Sequence, residues 1–131
     1  MQIGRVAQRA GVPAPTIRFY EARKLLSRPA RSPSGYRQYT ERVLEELWFI
    51  RRAQDLGLTL EETREILNLG RQGKKPCERV TAICDAHLSE INRRMGELRT
   101  FRRHLQAARR LASQECGFTP EGFCRAIFSQ A

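Results

Sequence analysis

Four cysteines, at positions 77, 84, 116 and 124, and two histidines, at 87 and 104, are the soft and borderline metal donors of this 131-residue chain. Thiolate selects Zn, Cd, Hg, Pb or monovalent Cu, Ag and Au over hard ions. The same thiols could instead pair as disulfides or act as a redox switch. Compartment narrows the choice. Met1 to Gly11 is amphipathic and carries Arg5 and Arg9 where a signal peptide has an apolar core, and no run approaches the roughly 18 apolar residues of a membrane helix. The chain is therefore expected in the cytoplasm, away from membranes, where reduced thiols favour metal binding or redox sensing over a disulfide framework. His87 and His104 fall on a long helical stretch and read as seam or surface residues.

A second chemistry is carried by charge. Lys and Arg number 24 against 14 Asp and Glu, a formal charge of +10. Residues 1–40 hold eight of the basic residues, at 5, 9, 18, 23, 24, 28, 31 and 37, and a single acid, Glu21. So skewed a segment points to an anionic partner, with nucleic acid the first candidate. No Cys–His pair at catalytic spacing, phosphate-cradling Gly loop or carboxylate dyad is present, which argues against an enzyme.

These residues need elements to position them. Ile3, Val6, Ala7 and Ala10 form a helical face that Gly11-Val12-Pro13 breaks, and Pro15-Thr16 opens a second short helix bearing Ile17, Arg18, Phe19 and Tyr20. Two short helices joined by a tight turn make a helix-turn-helix. Ser27 to Tyr39, with two Pro, three Arg and Ser34-Gly35, suits a small hairpin, or wing. Thr40 is placed to cap a central core helix through Val43, Leu44, Leu47, Trp48 and Ile50 to the Gly57 stop. Thr59 and Glu62 form a capping box ahead of Ile66, Leu67 and Leu69.

The expected divisions are a winged helix-turn-helix domain over residues 1–70, a linker over 71–77, a long helix over 78–113 and a short tail over 114–131. Positions 77, 80, 84, 87, 91, 94, 98, 101, 105, 108 and 112 alternate by three and four, the seam of a coiled coil. About 35 residues at 1.5 Å each make a rod of roughly 50 Å, too long for so small a domain to cover, so a second copy of the chain is the simplest cover.

Ile3-Gly4-x-Val6-Ala7-x-x-Ala10-Gly11-Val12, Thr16-Ile17-Arg18-Phe19-Tyr20-Glu21, Leu25-Leu26, Arg31-Ser32-x-x-Gly35-Tyr36-Arg37-x-Tyr39 and Phe49-Ile50-x-x-Ala53-x-x-Leu56-Gly57 resemble the MerR family of winged-helix regulators through about residue 70. The remainder matches in layout, since family members end in a long antiparallel dimerisation helix and a variable sensor segment. The resemblance implies a mainly α fold and a homodimer on double-stranded promoter DNA with an overlong spacer. An inducer would bend and untwist that DNA so that RNA polymerase can open it. Carried over by position, Arg18 and Tyr20 on the second helix, Tyr36 and Arg37 on the wing, and Arg31 at the wing's start match DNA-contact positions. Phe19 and Tyr39 read as packing residues.

In an antiparallel dimer, the start of one long helix lies beside the end of its partner, so the resemblance implies a metal site of Cys77 from one chain with Cys116 and Cys124 from the other. Relatives that sense divalent ions keep a cysteine at the position of Cys77, whereas those for monovalent ions have serine. A divalent soft ion (Hg, Pb, Cd or Zn) is therefore the expected inducer; redox state, a monovalent metal such as Cu, or another inducer is the alternative. Relatives place the first loop cysteine near position 112, where this chain has Ala, which implies a re-registered loop. Cys84 has no family counterpart and reads as a buried seam residue. The 18 residues after Ser113 are too few to enclose a drug-sized pocket.

Overall fold

The computed structural model describes residues 1–114 and 117–129, which form two compact units, Met1–Ile83 and Cys84–Ala131. The first opens with α1 (Ile3–Ala10) and α2 (Ala14–Ala22). Gly11 reverses the chain between them at φ 68°, a left-handed conformation that glycine adopts without a β-carbon clash. Pro15 lies in the first turn of α2, where its missing N–H costs nothing. A two-stranded antiparallel hairpin follows, β1 (Ala30–Arg31) with β2 (Arg37–Gln38), in the register Ala30 to Gln38 and Arg31 to Arg37. The wing is anchored beside α1 by two backbone bonds between Met1 and Tyr39, each 2.7 Å.

α3 (Arg42–Asp55) is the central element, packing against α1 and against α4 (Leu60–Arg71). Val43, Leu44, Leu47 and Ile50 join Val6, Ile17, Leu25 and Tyr39 in one buried cluster. Trp48, expected in that core, is half exposed. At 100° per residue it lies off the stripe set by Val43, Leu47 and Ile50. Thr40 does not cap α3 either. The boundary residue is Glu41, already helical, and its carboxylate pairs with Arg9 at 2.7 Å, while the Thr40 carbonyl accepts from Val43 N at 3.1 Å. The capping box on α4 forms in both directions: Glu62 N donates to Thr59 Oγ1 at 3.1 Å, and Thr59 N donates to Glu62 Oε1 at 2.8 Å.

α5 (Cys77–Gln114) is one continuous helix of 38 residues. Cys77 is its first residue rather than the last of a linker, because the Pro76 carbonyl already accepts from Val80 N at 2.9 Å. Beyond Ile83 its apolar stripe is uncovered: Leu88, Ile91, Met95, Leu98, Phe101 and Leu105 are all exposed. A compact turn then runs from Gly117 to Cys124, closed by Thr119 N to Phe123 O at 2.7 Å and Arg125 N to Gly117 O at 2.9 Å. It leads into α6 (Arg125–Phe128). The fold is the mainly helical, winged helix-turn-helix arrangement with a long helix that the sequence pattern predicts. No described helix is long and apolar enough to cross a membrane.

Candidate nucleic-acid interface and sensor residues

Helix α2 and the wing bring four of the five predicted contact residues to one basic surface. Arg18, exposed on α2, lines two hollows. One of about 440 Å³ includes Glu21, Lys24, Arg28 and Arg37; the other, of about 350 Å³, includes Gln2, Arg31, Tyr36 and Arg37. Tyr36 is 62% exposed at the wing tip. The tip is shaped locally: Ser32 N donates to Tyr36 O at 2.7 Å, Tyr36 N donates to Ser32 Oγ at 3.2 Å, and Arg31 Nη1 donates to Gly35 O at 3.0 Å.

The lone acid of the segment aims this surface. Glu21 accepts from Arg37 Nε at 3.1 Å through one oxygen and from the Tyr39 hydroxyl at 2.8 Å through the other. One carboxylate thus ties the wing arginine to α2. Burial, reinforced by the bond to Glu21, pushes the Tyr39 hydroxyl up to about 12, so it remains a donor throughout the neutral range.

Tyr20 stands apart from the other four. Its ring is buried in the core cluster, and its hydroxyl donates to Gln54 Oε1 at 3.3 Å, because it shares the inward side of α2 with Ile17. Phe19 reverses the packing expectation: it is 43% exposed, one residue off that inward side, and Arg23 lies over its ring at 5.0 Å from the centroid.

Glu46 was missed by sequence reasoning. This carboxylate on α3 is buried, yet it accepts from Ser27 Oγ at 2.6 Å, Ser27 N at 3.0 Å, Arg71 Nη2 at 3.1 Å and Arg42 Nε at 3.4 Å. Burial acts to raise its pKa, but the bonds from Ser27 and Arg71 outweigh that and hold it below the ordinary carboxylate range. Arg71 Nη2 also donates to the Leu25 carbonyl at 2.6 Å. α3, α4 and the segment between α2 and the wing therefore meet on one ionised group. A signal existed: Glu46 lies three residues after Val43 and four before Ile50, on the apolar stripe.

Cys77, Cys84 and Cys124 are free, exposed thiols. Cys84, expected to be buried, is open in the single chain because its seam has no cover. Cys116 lies outside the described residues. Among the described residues no three His, Cys, Asp or Glu side chains gather into a metal-binding group.

A helix-turn-helix with a wing, both presenting arginines to one surface, defines a DNA-binding regulator, and the chain belongs to the MerR family. The profile of MerR HTH family regulatory proteins matches residues 1–69, and that of the MerR DNA-binding region matches residues 44–108. The chain is 35% identical over its whole length to the HTH-type transcriptional regulator CueR of Yersinia pestis, covering 91% of that protein. It is 37% identical to ZntR of Escherichia coli over 117 residues, 88% of this chain and 81% of that one. Its structure is similar to that of the transcription regulator PbrR691 from Ralstonia metallidurans CH34 in complex with lead(II), with a TM-score of 0.76, 38% identity and coverage of 100% and 99% of the two chains.

Proposed function

We propose that this regulator binds promoter DNA as a homodimer in the cytoplasm and distorts it when a soft divalent metal ion, Hg, Pb, Cd or Zn, is captured by cysteine thiolates. The observation that carries the DNA half is the convergence of Arg18, Arg31, Tyr36 and Arg37 on adjoining hollows. An arginine on the second helix suits the major groove, while wing guanidiniums and a hydroxyl suit phosphates and fix the register. Tyr20 serves this surface from behind, holding α2 on α3 through Gln54.

The sensor half rests on donor chemistry and on the lead(II)-bound relative. Cys77 and Cys124, two of the proposed ligands, are free, exposed thiols and soft donors, and a soft divalent ion would displace their protons at neutral pH. Cys77 of one copy with Cys116 and Cys124 of the other would hold the ion, since antiparallel pairing of two α5 helices sets the start of one beside the end of the next. Bound metal supplies binding free energy that favours one arrangement of the dimer, and hence of the DNA, over another. RNA polymerase is the partner that would read the distortion.

The test is anaerobic titration of the reduced protein with Hg, Pb, Cd, Zn and monovalent Cu, followed by thiolate-to-metal absorption, beside the Cys77→Ser variant. Tight divalent binding that disappears in the variant is expected, with duplex binding retained. Binding of none of the ions, or divalent binding indifferent to Cys77, would sink the sensor assignment and move weight to redox or another inducer.

A further inference from the structure

Helices in the first unit end by a recurring device. After α3, Gly57 (φ 84°) donates to Gln54 O at 2.9 Å and Leu58 N to Ala53 O at 3.0 Å; after α4, Gly73 (φ 70°) donates to Gly70 O at 3.0 Å and Lys74 N to Leu69 O at 2.9 Å. These left-handed turns satisfy the last carbonyls of each helix, and glycine is the residue that enters them without a β-carbon clash. α2 ends by the same pair of bonds, Lys24 N to Glu21 O at 3.0 Å and Leu25 N to Tyr20 O at 2.9 Å. Here the left-handed position, φ 60°, is filled by Lys24, and among the described residues no other non-glycine residue has a positive φ. A side chain in that conformation is disfavoured, so something must offset the strain.

The surroundings of Lys24 point to a functional reason for keeping it. Lys24 is exposed and, with Arg28, borders both the hollow of about 440 Å³ containing Arg18 and Arg37 and a third, of about 690 Å³, containing Arg64, Asn68 and Arg71. Three of the neighbouring cations are committed: Arg37 to Glu21, Arg71 to Glu46, Arg64 to Glu61. No carboxylate among the described residues pairs with Lys24 or Arg28. The two form an uncompensated basic ridge continuous with the surface that α2 and the wing present.

We propose that Lys24 is a phosphate-contacting residue of the DNA interface, and that with Arg28 it carries that interface from the recognition helix toward α4. The strained turn is kept because the ammonium on it contributes to DNA affinity. Glycine would relax the backbone and remove the charge together. This inference rests on α2 and the wing facing DNA, and the experiment separates the two.

Duplex affinity would be measured by anisotropy from 50 to 200 mM salt, alongside thermal unfolding, for the full chain and for Lys24→Gly, Lys24→Gln, Lys24→Arg and Arg18→Ala. Each neutralised phosphate contributes about 1 to the slope of log affinity against log salt. Lys24→Gly is expected to raise Tm by roughly 3 °C, to weaken binding several-fold and to lower the slope by about 1 per bound protomer. Lys24→Gln should lose the same slope without the gain in Tm, and Lys24→Arg should keep the slope. Unchanged affinity and slope in Lys24→Gly and Lys24→Gln, while Arg18→Ala binds weakly, would overturn the proposal alone. A Lys24→Gly protein less stable than the parent would also overturn it, because the turn would then not be held against a preference. Full duplex binding by Arg18→Ala would instead remove the interface on which the proposal stands.

Discussion

Val6, Ile17, Leu44 and Ile50 of the first unit expose almost nothing, whereas Leu98, Phe101 and Leu105 along α5 expose 66%, 64% and 70% of their surface. Beyond Ile83, Ala126 is the only buried side chain among the described residues. The first unit, or head, buries one apolar cluster with its own chain, through α1, α2, the wing and α3. The long helix cannot, because one helix has no second layer to receive its stripe. The fold of the first unit and the proposed DNA surface are therefore built by one chain, while the stripe along α5 is left for the proposed second copy. A regulator arranged this way can alter how two heads are held without altering either head.

The largest effect that would break this contrast lies on the seam. Phe101→Glu places a charge in the expected interface twice per dimer, and at about 2 kcal/mol or more per copy dissociation should strengthen roughly a thousandfold. Sedimentation should show monomers at micromolar concentration, with the thermal transition of the head still present. A parent chain that is itself monomeric, or a variant that remains dimeric, would mean that α5 is covered by something else.

Next in size is Glu46, where the head depends on a buried charge. Glu46→Ala leaves Arg71 facing the Leu25 carbonyl without its carboxylate and removes both Ser27 bonds, which should cost about 3 kcal/mol in urea unfolding. The pH dependence follows from its lowered pKa. Stability from this group is complete above the ordinary carboxylate range and is lost as pH falls through the lower value of the folded state. The parent should therefore lose stability in acid more steeply than Glu46→Gln, and parallel acid profiles would show that Glu46 is not ionised in the fold.

Tyr39 sharpens the same point at the wing. Tyr39→Phe removes the donor to Glu21 and should cost about 1.5 kcal/mol. With its folded pKa raised to about 12, Tyr39 contributes stability that is present below the ordinary phenol value and lost as pH rises through 12. Tyrosinate absorption of the parent should contain a component near that pH that the variant lacks.

The parts of the molecule legible in the sequence are those fixed by local rules. Helical periodicity placed α1 and α5, Pro15-Thr16 after the Gly11-Val12-Pro13 break placed α2, the Thr59–Glu62 spacing placed the start of α4, and Ser34-Gly35 placed the wing turn. What escaped depends on packing between distant segments. Periodicity sets Glu46 on the apolar stripe and Glu45 off it, but the groups that hold its charge in the core, Ser27 and Arg71, arrive from 19 and 25 residues away. Tyr20 and Phe19 exchanged their expected places for the same reason, since a nine-residue helix offers too few turns to reveal which side α3 will cover. For the proposed sensor, residue chemistry named the thiols, but their convergence would belong to an interface between two copies that one chain does not contain.

The smallest expected effect is the most local, and it tests whether the head is as self-contained as its burial implies. Thr59→Ala deletes the acceptor for Glu62 N and half of the capping box, leaving the first turn of α4 with an unsatisfied amide near solvent. A loss of about 1 kcal/mol is expected, read as a lower urea midpoint. Because Thr59 lies wholly within the first unit, dimer dissociation measured on the same protein should not move. If dissociation weakens or strengthens by more than about threefold, roughly 0.65 kcal/mol, the start of α4 is energetically joined to the α5 seam. The heads would then be part of the dimer's stability and not only its cargo.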